Sequence, residues 1–152
     1  LGFDLTKLKE YDDADIIHIH WLGKGFIKLS SIKKIEKPIV WTMRDMWTFT
    51  GGCHYSEGCT SYQSNCSGCP LLPEDKKYIA VHALEQKKAA ISQIKDLTVV
   101  TPSEWLANHV RSSAVFSKTS LKVARSTSNC CSKEICLETN SSSISILLVC
   151  NL

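Results

Sequence analysis

Two short stretches decide the fold of this chain: ADIIHIHW at positions 14–21 and PIVWTM at positions 38–43. The first is a β-branched run that suits a buried strand of a parallel sheet. The second restarts a strand with a proline at its first position, where proline is tolerated. Between them Phe26, Leu29 and Ile32 recur at helical spacing, which predicts an amphipathic crossover helix. A strand, a helix and a second strand over this length predict a βαβ unit.

The same pattern continues along the chain. A helix of several turns is predicted by the apolar residues Tyr78, Val81, Leu84, Ile91 and Ile94. Strands are predicted at 97–101 and 121–123, with a helix start between them at 101–104. There Glu104 can complete a capping box with Thr101. The inner face of that helix is predicted to hold Trp105, Leu106 and Val110. We therefore expect an α/β fold, a partial Rossmann-like parallel sheet with flanking helices.

Length and composition restrict the function classes. The chain has 152 residues, enough for one domain or part of a larger one. Its 43% hydrophobic and 22% charged residues fit a packed globular protein. The net charge of +3 is too small and too scattered to indicate a nucleic-acid partner.

The sequence favours a cytoplasmic location. Positions 1–10 lack the pattern of a signal peptide, and the apolar stretch at 144–150 is far below the roughly 20 residues of a membrane helix. In that compartment the eight cysteines indicate thiols or metal ligands before disulfides. Because the first residue is Leu, we expect the chain to begin inside a longer reading frame.

Regular periodicity disappears between positions 44 and 73. This segment holds four of the seven glycines and four of the eight cysteines. A loop of this size is usually functional or internally tied down. We therefore predict a long, structured, cysteine-rich loop.

The loop cysteines have the spacing C-x5-C-x6-C-x2-C, formed by Cys53, Cys59, Cys66 and Cys69. Four thiolates can satisfy a structural zinc ion, and an x2 pair suits one side of such a site. Zinc ribbons have two x2 pairs and this chain has one, so free thiols and disulfides stay open as alternatives. A zinc ion here would brace the loop, and no catalytic metal is expected.

The composition changes abruptly after Val123. Residues 124–152 contain no glycine, proline or aromatic residue, but seven serines and four cysteines. We assign 1–123 to a partial domain with the loop 44–73 and expect 124–152 to be a poorly specified, irregular tail. The tail cysteines Cys130, Cys131, Cys136 and Cys150 match no metal-ligand pattern.

Four motifs resemble a known family. They are DIIHIHW at 15–21, KPIVWTMRDMW at 37–47, TGGCHY at 50–55 with the following CxxCP, and VTPSEWLA at 100–107. Their combination is similar to the family 4 retaining glycosyltransferases that build bacterial capsule, exopolysaccharide and lipopolysaccharide. The matching segments cover about positions 12–123.

The resemblance implies a GT-B enzyme with two Rossmann-like domains facing a cleft. It implies a nucleotide-sugar donor, a glycan or lipid-linked acceptor and retaining, metal-independent transfer. This chain would supply the N-terminal, acceptor-side half, in the cytoplasm or peripheral at the inner face of the membrane.

Ligands of open parallel sheets bind outside the carboxyl ends of the strands, which places His20–Trp21 and Arg44–Asp45 on the cleft rim. Many relatives have a histidine where this sequence has Arg44, and that histidine is thought to contact the donor sugar. Arginine cannot accept a proton, but it can hold a phosphate or an oxyanion. Asp45 could orient an acceptor hydroxyl or pair with Arg44 in a salt bridge that organises the loop.

Three histidines are further candidate residues because of their positions in the sequence. His18 and His20 alternate along a strand and share one face, which is either a polar cleft lining or a satisfied buried face. His54 follows Gly51 and Gly52, which let a backbone approach a ligand closely. We interpret His54 as a catalytic candidate with Arg44 and Asp45, or else as a loop-packing histidine.

Each of three more side chains has two possible roles. Ser103 stands at a helix start, where an anion or plain capping explains it, and capping is preferred. Trp41 and Trp47 are interpreted as core or loop anchors rather than platforms for sugars.

The family pattern would continue after Val123 with a proline-asparagine-glycine turn into the donor domain, but this chain reads ARSTSN at 124–129. We expect a frame disruption there and no turnover by this polypeptide alone, because only one wall of the cleft is present. The alternative function is a small cysteine-rich, zinc-stabilised binding module.

Overall fold

The structure, a computed structural model, describes residues 2–22, 27–117, 122–125 and 146–149, the last two ranges as backbone. Its centre is a five-stranded sheet in the order β4-β3-β2-β1-β5, with every neighbouring pair parallel. The strands are β1 (Ile16–Ile19), β2 (Ile39–Thr42), β3 (Leu97–Thr101), β4 (Lys122–Arg125) and β5 (Ile146–Val149). The predicted α/β class is confirmed, and the sheet is compatible with a Rossmann-like half domain.

Helices flank the sheet and connect its strands. They are α1 (Lys9–Asp13), α2 (Leu29–Ile32), α3 (Lys77–Ile91) and α4 (Glu104–Ser112). α2 lies between β1 and β2 and packs on α3, while α4 packs on β3 and β4. No helix in the described part of the chain is long and apolar enough to cross a membrane.

One face of the three central strands is buried completely. In β1, Ile17 and Ile19 are both 0% exposed, and their neighbours Ile39 and Trp41 in β2 are buried in the same way. The residues between them, such as His18, are only half-buried. Trp41 is therefore a core anchor, as the sequence indicated. The half-buried face is where polar side chains of these strands can meet a ligand.

The long connection between β2 and α3 is structured, as predicted. The connection contains short 3-10 turns, at Trp47–Phe49 and Ser61–Gln63, rather than longer helices. The loop has its own buried aromatic contacts, since Phe49 packs edge-on against Tyr62 at 5.8 Å and against Phe116 at 6.4 Å between ring centroids. These contacts join the loop to the main core.

Two predicted helix starts differ from the structure. α2 is a single turn that begins at Leu29, and Phe26 lies outside the described residues. The capping box of Thr101 and Glu104 is wrong, because Ser103 is the N-cap of α4 and its Oγ accepts from the backbone N–H of Leu106 at 3.3 Å. Glu104 then occupies the first helical position, too early to reach back to a cap.

The predicted inner face of α4 also needs correction. Leu106 and Val110 are buried, but the side chain of Trp105 is 51% exposed. The buried residues of α4 follow i, i+1 and i+4 spacing from Leu106 through Ala107 to Val110, which turns Trp105 away from the sheet. Tyr78, predicted in the periodic pattern of α3, is likewise exposed.

The last part of the chain adds to the sheet. We placed no strand after Val123, whereas β4 continues to Arg125 and β5 pairs in parallel with β1 along Ile16–Ile19. The backbone of the apolar run ILLV at 146–149 thus supplies ladder hydrogen bonds to an otherwise open edge. The four tail cysteines lie outside the described residues.

The central strand β1 gives a stability test. Replacing Ile17 by Ala should lower the free energy of unfolding by about 2–5 kcal/mol, since it leaves a cavity at a fully buried site between β2 and β5. Ile79→Ala in α3, where the side chain is 47% exposed, should change it by no more than about 0.5 kcal/mol. Urea unfolding of both variants measures this, and equal losses would contradict the sheet assignment.

Candidate functional site

The carboxyl ends of β1 and β2 bring a group of polar and aromatic side chains together. His18 of β1 reaches across to Thr42 of β2, with 2.9 Å between Nε2 and Oγ1. The rings of His18 and His20 lie 4.3 Å apart between centroids. The two histidines therefore share one face, as their alternation predicted, and that face is half-buried rather than sealed in the core.

Burial keeps both histidines neutral. It lowers the pKa of His18 to about 4, with a smaller contribution from the neighbouring His20. The pKa of His20 is lowered by burial and then by the positive charge of Arg44. Neither ring nitrogen of His20 has a hydrogen-bond partner among the described residues, although both atoms are buried. Buried polar atoms are rarely left this way, so His20 is the residue of this face whose side chain still lacks a polar contact among the described residues.

Asp45 forms the most specific contact of the site. Its Oδ2 lies 2.7 Å from His54 Nδ1, and its Oδ1 accepts the backbone N–H of Trp47 at 2.9 Å. The backbone of His54 is fixed as well, because its carbonyl accepts from Met46 N at 2.9 Å. A carboxylate can only accept, so Nδ1 carries the proton and Nε2 of a neutral imidazole is left as an acceptor.

The interpretation of an Arg44–Asp45 salt bridge is wrong. Asp45 turns back into its own loop towards Trp47 and His54, while Arg44 is exposed and forms no ion pair with the described residues. The side chain of His54 is 55% exposed and that of Asp45 is 17% exposed. Two of the three catalytic candidates thus form a pair at the surface, and Arg44 stands beside them near His20.

Trp21 holds the imidazole of His54 in place and itself packs against Trp47. Trp21, which follows His20 at the end of β1, stacks on His54 with 5.3 Å between centroids and 15° between planes. The ring of Trp21 also lies beside that of Trp47, with 5.5 Å between their centroids. The orientation of His54 is therefore set by Asp45 through a hydrogen bond and by Trp21 through ring contact.

Lys87 of α3 supports this arrangement from below. It is only 3% exposed, and its Nζ donates to the carbonyl oxygens of Trp47 at 2.6 Å and Thr50 at 3.0 Å. The same ammonium lies 3.8 Å from the centroid of the Trp47 ring. Burial lowers the pKa of Lys87 to about 8, against the opposing influence of Cys66, Cys53 and Asp45.

Gly51 and Gly52 serve different needs in the loop. A Cβ on Gly51 would lie 2.7 Å from the carbonyl oxygen of Ala80 in α3, so the close approach that this glycine permits is to the chain's own helix. Gly52 has a φ of +146° and open space around it, so it serves the backbone turn. A ligand contact by the backbone at either glycine stays a prediction.

The loop cysteines are free thiols. Burial raises the pKa of Cys53 and of Cys66, and the neighbouring thiols raise both further. Cys66 and Cys69 are buried in the core, and the backbone of Gly51 hydrogen-bonds to Cys66. Nowhere in residues 2–22 and 27–117 are three or more His, Cys, Asp or Glu side chains arranged so that they could hold a metal ion.

The hydroxyl of Ser103 is occupied by capping, which was the preferred interpretation. Sequence reasoning missed Lys87, and it placed Trp21 on the cleft rim without assigning it a partner. A signal for Lys87 existed, because Ala80, Leu84, Lys87 and Ile91 lie on the buried face of α3 at helical spacing. No sequence signal links Trp21 to His54, since their contact depends on how the loop folds back over β1.

One curated protein shares a segment with this chain. The Escherichia coli K12 protein named "Putative colanic acid biosynthesis glycosyl transferase WcaC" is 34% identical over 61 residues. The match covers 38% of this chain and 15% of that protein, so the similarity spans a small part of the relative's length. No family model matches the sequence, and no solved structure matches it.

The buried ammonium gives a pH-dependent prediction. The pKa of Lys87 falls from 10.5 to about 8 on folding, so between these values the unfolded chain holds a proton that the folded chain lacks. The free energy of unfolding should therefore rise with pH in this range, by about 2–3 kcal/mol relative to Lys87→Met. Urea unfolding at pH 7 and pH 10 measures it, and parallel pH profiles for the two proteins would contradict a buried charge.

Zinc binding stays a prediction of the cysteine spacing, and metal analysis of protein purified without chelators tests it. Binding by four thiolates should give about one zinc ion per chain. The single variants Cys66→Ser and Cys69→Ser should each lose this zinc ion. A metal-free protein whose loop thiols all react with a thiol reagent after unfolding would leave only packing as the role of these cysteines.

Proposed function

We propose that this chain is the acceptor-side part of a glycosyltransferase of family 4 and GT-B architecture. The reaction would move a sugar, with retention, from a nucleotide-sugar donor to a glycan or lipid-linked acceptor in cell-surface polysaccharide biosynthesis. Support comes from the segment shared with a protein named as a glycosyl transferase and from a parallel sheet with polar side chains at its carboxyl edge. The proposed location is the cytoplasm or the inner membrane surface, with no nucleic-acid partner.

The observation that carries this proposal is the Asp45–His54 pair. A histidine whose Nδ1 is held by a carboxylate presents Nε2 as an acceptor for a hydroxyl proton. The carboxylate also stabilises the imidazolium that forms when the proton arrives. In the proposed reaction Nε2 of His54 accepts the proton of the acceptor hydroxyl as that oxygen bonds to the anomeric carbon of the donor sugar. The bond from that carbon to the nucleotide phosphate breaks on the same face, which retains the configuration and releases the nucleoside diphosphate.

The other residues of the edge have supporting roles in the proposal. His20 lies on the same face as His18, and His18 is oriented by Thr42. Arg44, exposed beside them, suits the phosphate of a nucleotide sugar, because a guanidinium binds phosphate oxygens in a bidentate manner. No metal is required for these contacts.

We also propose that the chain alone does not turn over. The described sheet supplies one wall with acceptor-type groups, and transfer gains most from holding both reactants in one closed cleft. The acceptor half is then a binding unit whose activity depends on a donor-binding partner domain.

The test compares this chain with the polypeptide encoded when its coding sequence is extended in all reading frames. Radiolabelled transfer from a panel of UDP- and GDP-sugars to membrane acceptors should occur only with an extended form. In that form His54→Gln should lower kcat about 10²- to 10⁴-fold, because the proton acceptor is lost. Asp45→Asn should lower kcat to a similar extent, because the Asn amide would donate to Nδ1 of His54, leave the proton on Nε2 and no longer stabilise the imidazolium.

His82→Gln is the matched control, since His82 is an exposed histidine of α3 bonded to Gln86. It should keep full activity. Transfer that is unaffected by His54→Gln would refute the proposed role of the pair, and no transfer by any extended form would refute the function itself.

A further inference from the structure

A second aromatic group lies beside the cysteine-rich loop. Trp105 of α4 meets His109 edge-on, with 4.3 Å between centroids, and Tyr55 of the loop lies 6.3 Å from Trp105 at 35°. His109 Nδ1 is 2.6 Å from the hydroxyl of Tyr62, which is buried. The group thus runs from a buried tyrosine out to two rings at the surface.

Tyr55 and Trp105 are unusually exposed for rings in fixed contact. Tyr55 is 57% exposed and Trp105 is 51% exposed, although the sequence predicted Trp105 on the inner face of its helix. Large apolar side chains clustered at a surface mark binding sites more often than chance. Tyrosine and tryptophan are also the side chains that combine an apolar face with a polar edge.

The Trp105 ring of the exposed pair is held in place by the protein. Trp105 rests against His109, which is fixed by the Tyr62 hydroxyl, and Tyr62 packs on Phe49 in the core. A ring supported in this way loses little conformational freedom when a ligand stacks on it, so binding costs less entropy.

The pair adjoins the site described above along the chain. Tyr55 follows His54 directly, so the backbone of one ring of the pair is next to that of the Asp45–His54 pair. This adjacency favours a ligand that also reaches the proposed catalytic histidine.

The surroundings of Trp105 favour a sugar over an acyl chain. Its helix presents polar groups on the exposed side, where Arg111 donates to Glu104 at 2.9 Å and to Asn108 at 2.8 Å. A pyranose ring has an apolar C–H face that fits an aromatic ring and hydroxyls that suit such polar neighbours. An acyl chain would instead need a continuous apolar surface.

We propose that Tyr55 and Trp105 form a stacking platform for a pyranose ring of the acceptor. The acceptor role rests on the proposed function, whereas binding of a pyranoside does not. The platform explains why two aromatic rings stay in contact at the surface next to the Asp45–His54 pair.

The test uses saturation-transfer NMR on the purified chain with methyl glucoside, methyl galactoside and methyl fucoside as probes. At least one pyranoside should receive saturation at its ring C–H protons, while the acyclic polyol sorbitol should not. Tyr55→Ala and Trp105→Ala should each weaken binding by roughly 2- to 12-fold, the size of one aromatic contact. Trp105→Phe should restore part of the affinity, which a general loss of folding would not allow.

Tyr78→Ala is the matched control, because Tyr78 is an exposed aromatic residue outside the pair. An equal loss of pyranoside affinity in this variant would overturn the platform. So would saturation of sorbitol to the same extent, or the absence of saturation at every pyranoside. The chain could instead bind vesicles of phosphatidylethanolamine and phosphatidylglycerol but no pyranoside. If Trp105→Ala abolished that vesicle binding, the pair would be assigned to lipid. A transferase that is active without pyranoside stacking would leave the proposed function standing and refute only the platform.

Discussion

The candidate site depends on one buried ammonium. Lys87 of α3 donates to the carbonyl oxygens of Trp47 and Thr50, and these two residues bracket the turn that follows β2. Without the ammonium, those carbonyls would be buried with fewer partners, and the loop would lose its attachment to the helix. Since Asp45 bonds to the backbone of Trp47, the position of the whole Asp45–His54 pair follows from this contact.

The sheet explains why the site lies where it does. Parallel strands have their carboxyl ends at one edge, so His20, Trp21 and the start of the loop meet above β1 and β2. The fully buried face of these strands anchors the edge, and the half-buried face leaves His18 and His20 near solvent. The loop then folds back so that His54 stacks on Trp21. A rigid sheet and a braced loop together hold the imidazole in a defined orientation.

The polar edge and the exposed aromatic pair differ in chemistry. Around His54 the groups are suited to hydroxyls and phosphates, and at Tyr55 and Trp105 they are suited to the apolar face of a ring. A carbohydrate has both properties, so the proposed acceptor accounts for both groups. The segment shared with a protein named as a glycosyl transferase is consistent with that reading, although it covers only 38% of the chain.

The sequence by itself determined the strand runs at 16–19, 39–42 and 97–101, the structured loop and the helix start near Ser103, because these depend on local pattern. Only the tertiary structure decided which partner Asp45 takes, since His54 reaches it by a turn of the loop rather than by sequence adjacency. It also decided the role of Lys87, whose partner carbonyls lie 37 and 40 residues away. The same holds for β5, whose short apolar run is a strand only because the edge of β1 is free to pair with it. Local pattern fixes elements, whereas contacts between distant residues are fixed by packing.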